Sequence, residues 1–219
     1  MKKNLFVIAS VAILGGVLTF SSCKKEDTTA PTLSITGGND QTFSLNSSFT
    51  NPTATATDDQ DGDVSTKISV TGTVDANTKG NYTLTYSVSD AAGNTASQDV
   101  TIHIVNDAEF LAGTYAADDT CQVSWVSPYT MSMSTSNTVN DAITVNNLSN
   151  FGTGINLNAT VNISGSSITF SAPQTIGSLG SLNSGSGTYT HNGTAVNANL
   201  VWQWTDGTNT EVCTTTASK

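Results

Sequence analysis

Two groups of residues in this chain could do chemistry: three cysteines and a run of aspartates. With Cys23 set aside at the end of an apolar leader, Cys121 and Cys213 remain, and in an exported chain an even pair reads as a disulfide. A metal site would need more soft ligands than two distant cysteines, and the only histidines are His103 and His191. The densest charge is Asp58-Asp59-Gln60-Asp61-Gly62-Asp63. Clustered carboxylate oxygens suit a hard cation, so Asp58, Asp59, Asp61 and Asp63, with Asp90 or Asp75 from neighbouring loops, are candidate Ca²⁺ ligands. The run does not follow the EF-hand, because counting from Asp59 puts Val64 where the glycine belongs and Val70 where the closing glutamate belongs. The alternative is an Asp/Gly turn whose side chains bond local backbone amides.

Trp125, Trp202 and Trp204 form a third group. Leu200, Trp202 and Trp204 share a face at period two, so they read either as an aromatic platform for a sugar or apolar ligand, or as a core stripe. Tyr115, Phe151, Phe170 and Tyr189 read as core. The sequence holds no G-x-S-x-G elbow, P-loop, dinucleotide fingerprint or zinc pattern. Asp118-Asp119 and Asp141 are the close acidic candidates for hydrolytic work in the C-terminal half, and they read as loop residues. No enzymatic activity is expected.

The leader sets the location. Lys2 and Lys3 precede an apolar run from Leu5 to Phe20, about 16 residues against the roughly 20 a spanning helix needs, and Gly15-Gly16 interrupts it. Leu18-Thr19-Phe20-Ser21-Ser22-Cys23 places small residues directly before a cysteine, which resembles the lipobox of bacterial lipoproteins, with Phe20 where that family usually has an aliphatic. The resemblance implies cleavage after residue 22 and acylation of Cys23 by chains such as palmitate; an ordinary secretory signal is the alternative. Several acyl chains at about 0.8 kcal/mol per buried methylene would hold the protein to a membrane. Lys24-Lys25-Glu26-Asp27 resembles the surface-export signal of some Gram-negative lipoproteins, which implies the outer face of the outer membrane; a solvated linker and the periplasmic face are the alternatives.

Composition narrows the partners. The chain has seven lysines, no arginine, 17 acidic residues and a net charge of −10, which becomes −12 when Lys2 and Lys3 leave with the leader. That balance excludes nucleic acid, whose binding depends on Lys and Arg at phosphates. Protein or glycan partners remain. Abundant Thr, Ser, Asn and Gly favour strands and turns.

Residues 23–29 read as a linker and residues 30–106 as a first domain. Leu33 and Ile35, then Tyr82, Leu84, Tyr86 and Val88, then Val100, Ile102 and Ile104, alternate with polar residues, the mark of half-buried antiparallel strands. Six or seven short strands suit a small sandwich. The ordered pattern Pro31-x-Leu33-x-Ile35-x-Gly37, Asn51-Pro52-Thr53-Ala54-x-Ala56-x-Asp58-x-x-Asp61-Gly62-Asp63-Val64, Gly72-x-Val74-Asp75 and Gly80-x-Tyr82-x-Leu84-x-Tyr86-x-Val88-x-Asp90-x-x-Gly93-Asn94 resembles a bacterial immunoglobulin-like family. That family is known from pesticidal crystal toxins and many surface proteins and is similar to hyalin repeats. The resemblance implies a spacer or adhesive module.

Asn106-Asp107 reads as a short linker, and residues 108–219 as a second all-β domain. Strands are expected at Gly113–Ala117, Cys121–Trp125, Tyr129–Met133, Ala142–Asn146, Ile155–Ile163, Ser167–Phe170, Gly185–Tyr189, Ala195–Trp204 and Glu211–Thr215. Ser134–Asp141 and Gly177–Ser186 read as loops, while His191-Asn192-Gly193 and Asp206-Gly207 read as hairpin turns. Consecutive hairpins make a meander that either closes into a barrel or stays open. A Cys121–Cys213 bridge would join its ends. The domain resembles small exported lipocalin-like β-domains only in outline. The expectation is therefore an exported, lipid-anchored, all-β protein, an antiparallel Ig-like sandwich followed by a β-meander, in which the first unit is a spacer and the second is displayed or binds a small ligand or glycan.

Overall fold

The computed structural model describes residues 26–122, 128–152 and 154–219. Cys23 and Trp125 lie outside the described residues. Among those residues, no helix is long and apolar enough to cross a membrane.

The first unit packs two sheets. β1 (Thr32–Ile35), β3 (Ala54–Asp58) and β4 (Gly62–Asp63) form one; β2 (Asp40–Ser44), β5 (Ser69–Thr71), β6 (Gly80–Ser89) and β7 (Thr95–Val105) form the other, in the order β2-β7-β6-β5. The alternating residues behave as their period demands. Leu84, Tyr86, Val100, Ile102 and Ile104 are buried together with Ile35 and Leu45, while their polar neighbours face out. Tyr86 keeps its hydroxyl satisfied inside by donating to the Pro52 carbonyl at 2.6 Å. One pairing departs from the antiparallel expectation: β2 runs parallel to β7, from Asp40 opposite Thr101 to Ser44 opposite Val105.

The second unit is a closed barrel. β8 (Gly113–Cys121), β9 (Tyr129–Thr135), β10 (Ala142–Asn146), β11 (Asn156–Asn162) and β12 (Ser167–Phe170) follow one another as a meander. β13 (Gln174–Ile176) is a short addition, then β14 (Gly180–Asn192), β15 (Ala195–Thr205) and β16 (Thr210–Ser218) complete the circuit. β12 pairs with β14 on one side and β16 with β8 on the other, so eight strands close and β13 lies beside the start of β14. Gln174 ties β13 back to β11, its amide giving and accepting backbone hydrogen bonds at Asn158. An eight-stranded barrel is just wide enough for side chains to fill. Here Tyr115, Met131, Val145, Leu157, Ile168 and Leu200 are among the residues that do so.

Two strand expectations change. Gly113–Ala117 does not end at Ala117, since β8 runs unbroken through Ala116-Ala117-Asp118-Asp119 to Cys121 with alternate residues buried; of the strand expected at Cys121–Trp125, residues 123–125 lie outside the described residues. Gly177–Ser186 is not a loop throughout, since β14 starts at Gly180. Its glycines are needed for close approach: a Cβ on Gly187 would lie 2.4 Å from the Asn199 carbonyl oxygen, and one on Gly185 would lie 2.6 Å from the Phe170 ring. The hairpins at Gly193 and Gly207 have the positive φ that the Asn-Gly and Asp-Gly pairs suggested.

Cys121 and Cys213 sit directly opposite each other on β8 and β16, with Cα atoms 4.1 Å apart, and are bonded. The bridge spans 92 residues and joins the first and last barrel strands.

Asn106-Asp107 is a fastened junction, not a loose linker. Asn106 is buried, its amide donates to the Ser136 and Val139 carbonyls, and its Oδ1 accepts from the Ala108 and Asp141 amides. Asn140 accepts from the Asp107 amide and donates to its carboxylate, and the Asn140 amide reaches Asn46. Lys79 donates to Glu109 at 3.1 Å and to Thr135 at 2.9 Å. The segment after β9 is thus the surface on which the first unit sits.

Two predictions follow from these ties. Replacing Cys121 and Cys213 together by alanine should cost on the order of 4 kcal/mol of unfolding free energy, by the loop-closure argument; denaturant unfolding with and without reductant measures it, and an unchanged midpoint would disprove the brace. Burial pushes the Glu109 carboxyl up, but Thr135, Lys79 and Lys219 outweigh it and hold it below its ordinary 4.5. A carboxyl held down by folding contributes stability above that value and loses it as pH falls through the lower folded value. The side chain is 47% exposed, so screening keeps the effect small. Glu109→Gln should therefore lower Tm by about 1–2 °C at pH 7, and the difference should shrink as pH falls below 4.5.

Candidate functional site

The acidic run folds into a corner at one end of the sandwich. Asp58 ends β3, and its Oδ1 accepts the Gln60 and Asp61 amides at 2.9 Å each. Asp61 accepts the Ala91 amide and pairs with Lys67 at 3.6 Å. Asp63 accepts the Ser65 amide, and the Ser65 hydrogen bonds hold its carboxyl below the ordinary range. Asp90 caps the β6–β7 turn through the Gly93 and Asn94 amides; burial pushes its carboxyl up, and the hydrogen bonds from Asn94, Gly93 and Ala92 bring it down on balance. Most of the run therefore acts as local turn chemistry. Asp75 lies at the other end of the sandwich, where it accepts from Asn77 and Thr78 beside the Asn46 contact.

The chain before β1 reaches this corner. The Asn94 side chain donates to the Asp27 carbonyl at 3.1 Å, and the Asp27, Asp58 and Asp59 carboxylates each place an oxygen within 4.8 Å of the other two. Spacing along the acidic run could not reveal Asp27, which is 31 positions before Asp58 and joins it only through the fold.

The tryptophan stripe separates. Trp202 is 1% exposed and donates its Nε1–H to Thr215 at 2.9 Å, so it is a core residue and cannot stack on a ligand; the platform reading fails for it because β15 turns that face inward. Trp204 is half-buried and meets Phe151 edge-on at 5.7 Å. Thr215 passes the bond on to Asp119 Oδ1 at 2.6 Å, which also accepts from the Tyr129 hydroxyl at 2.8 Å; that hydroxyl in turn accepts the Ser149 amide. Burial first and the Asp119 charge second push the Tyr129 phenol up. Asp119 is thus interior to the barrel, whereas Asp118 faces out, so the two cannot work as a catalytic pair. Asp141 belongs to the junction, where burial and then the Asp107 charge push its carboxyl up.

Both histidines are engaged structurally. His103 bridges Asn81 at 2.7 Å and Asp40 at 2.9 Å, and the His191 ring stacks on Phe110 at 4.5 Å. The outer face of β14, β15, β16 and β8 carries two open grooves of about 420 and 410 Å³. Thr188, Thr190, Asn197, Asn199 and Thr216 line the first; Ser184, Ser186, Gln203 and the exposed Val201 line the second. Hydroxyls and amides of this kind can bond sugar or peptide groups.

Residues 33–104 match the profile of a bacterial surface protein Ig-like domain. The match runs from β1 into β7, short of the sandwich by one residue at each end, and supports the surface-protein side of the family resemblance. A search of curated proteins finds no match. Among solved structures, a lipoprotein of Bacteroides thetaiotaomicron is similar over 85% of this chain and 98% of its own, at 17% identity and a TM-score of 0.35. Two structures of ZmpB from Clostridium perfringens, one described as a CBM51 domain in complex with GlcNAc with INT domains and one including its catalytic domain, are similar over 79% and 80% of this chain, at 16% and 15% identity and TM-scores of 0.30 and 0.31. This chain spans 29% and 14% of those two chains. Scores this low leave the arrangement and any ligand to be argued from this chain itself.

Thr215→Val would leave the buried Trp202 indole without an acceptor and take from Asp119 Oδ1 one of its two donors, the Tyr129 hydroxyl remaining. Unfolding free energy should fall by about 2–4 kcal/mol. A loss under about 0.5 kcal/mol in denaturant titration would show that the interior network carries no stability.

Proposed function

We propose that the chain is a lipid-anchored bacterial surface protein without catalytic activity, in which the Ig-like unit is a stem and the barrel is the displayed body. One observation carries this reading: the two attachment points lie at opposite ends of the same hairpin. Asp27, four residues after Cys23, meets the β6–β7 turn, whereas the barrel is fastened beside Lys79 and Asn106, where β6 begins and β7 has ended. β6 has ten residues, so at roughly 3.3 Å per residue the hairpin separates anchor from barrel by about 30 Å. The fastened junction supports a stem that transmits orientation as well as distance. The outer barrel face, with its two grooves, is then the surface offered to a protein or glycan partner. The engaged histidines and the separated carboxylates support the non-catalytic reading.

The reading is tested in the cell. Cys23→Ala should move the protein from the membrane fraction to the soluble one, and proteinase K added to intact cells should remove the barrel of the unaltered protein. Retention of the variant in the membrane would refute the anchor, and protection of the barrel until the outer membrane is opened would assign the periplasmic face.

A further inference from the structure

We propose that Asp27, Asp58 and Asp59 form a Ca²⁺ site that fastens the segment following Cys23 onto the base of the sandwich. The three carboxylates come from two distant stretches of chain and place oxygens within 4.8 Å of one another. Proximity of acidic groups alone would not make a site. Asp58 supplies the second observation: it is 8% exposed, its Oδ1 is taken up by two backbone amides, and its Oδ2 is shielded from solvent with no hydrogen-bond partner. A buried carboxylate oxygen without a donor is costly, and a cation relieves that cost together with the repulsion among the three charges. Nearby donors are turned elsewhere: Lys67 faces Asp61, and the Asn94 side chain serves Asp90 and the Asp27 carbonyl.

The chemistry favours calcium. Ca²⁺ takes six to eight oxygens in irregular geometry and accepts carboxylates, carbonyls and water together, whereas Mg²⁺ requires a near-ideal octahedron. Extracellular modules of this kind bind at about 10⁻⁴–10⁻³ M. This set differs from a site within the Asp58–Asp63 run, because Asp61 and Asp63 are committed to Ala91 and Ser65. Its consequence is mechanical. With Asp27 held, only residues 24–26 separate the sandwich from Cys23, and that span reaches at most about 14 Å when extended. Binding of the ion does not depend on the anchor; only this tethering role rests on the lipoprotein reading.

The test uses the full chain purified in detergent, with CaCl₂ followed by calorimetric titration and by melting. One ion per chain should bind in the sub-millimolar to millimolar range, and 10 mM CaCl₂ should raise Tm by a few degrees where NaCl of equal ionic strength does not. Asp27→Asn and the exposed Asp59→Asn should each weaken binding at least tenfold, while Asp63→Asn should leave it within twofold. Asp58→Asn also disturbs the turn that Asp58 caps, so it is not the deciding variant. No binding, a rise in Tm matched by NaCl, or unchanged binding by Asp27→Asn would each overturn the site. Because fractionation of Cys23→Ala is read separately, failure of the ion site and failure of the anchor give different results.

Discussion

The ten-residue register between β6 and β7, from Gly80 opposite Ile104 to Ser89 opposite Thr95, is the constraint on which the rest depends. It is the longest pairing in the first unit, and its inward residues Leu84, Tyr86, Val100 and Ile102 form most of that unit's core. A slip of one residue would turn the slipped strand's inward pair, Leu84 and Tyr86 or Val100 and Ile102, to the outside, so the pairing is fixed by burial. Fixing it also fixes both ends. At one end Asp90 closes a tight turn and Asn94 catches the incoming chain at Asp27. At the other, Lys79 and Asn106 leave the hairpin already aimed at the loop after β9.

The barrel meets a different problem, which is that its first and last strands must find each other across the whole domain. Hydrogen bonds between β8 and β16 supply the pairing, and the Cys121–Cys213 bridge lies on one rung of it. The next inward rung is Asp119 opposite Thr215, which brings Trp202 and Tyr129 into one polar cluster. A single aliphatic residue in place of Thr215 would fill the space but strand the Trp202 indole and leave Asp119 with the Tyr129 hydroxyl alone. The cluster therefore specifies which strand closes the barrel more sharply than apolar packing does.

Much of this architecture was legible from alternation and turns. Tyr82 through Val88 and Val100 through Ile104 announced β6 and β7, and Asn192-Gly193 announced the β14–β15 hairpin. The failures have a common cause. Gly177–Ser186 has loop composition because β14 must pass close to Thr205 at Gly180 and to Phe170 at Gly185, and small residues that permit close approach look like turn formers. Asp118-Asp119 looked like a loop because acidic residues are rare in strands, yet Asp119 is there for its hydrogen bonds. The parallel β2–β7 pair carries no local signature, since alternation reports burial and not direction. The site was half legible: Asp58 and Asp59 stood out by charge, but Asp27 is brought to them only by tertiary structure.

Among the described residues, Asp58, Asp119 and Asp141 each keep a buried carboxylate oxygen without a donor, and comparing the two most buried of them, Asp58 and Asp119, shows why position decides what each can do. Asp119 Oδ2 lies inside the barrel, and the named groups around its carboxylate are a phenol and a hydroxyl that already bond the other oxygen, with the indole bonded to that hydroxyl. Such surroundings supply donors, and they suit a structural anion. Asp58, whose Oδ2 is the oxygen without a donor, lies at a corner where one of its carboxylate oxygens is within 4.8 Å of two further carboxylates. Such surroundings supply negative oxygens, and the group they suit is a cation. The same residue type, buried in both places, is a strut in the barrel and suited to a cation at the corner of the sandwich, because one is surrounded by hydrogens and the other by charge.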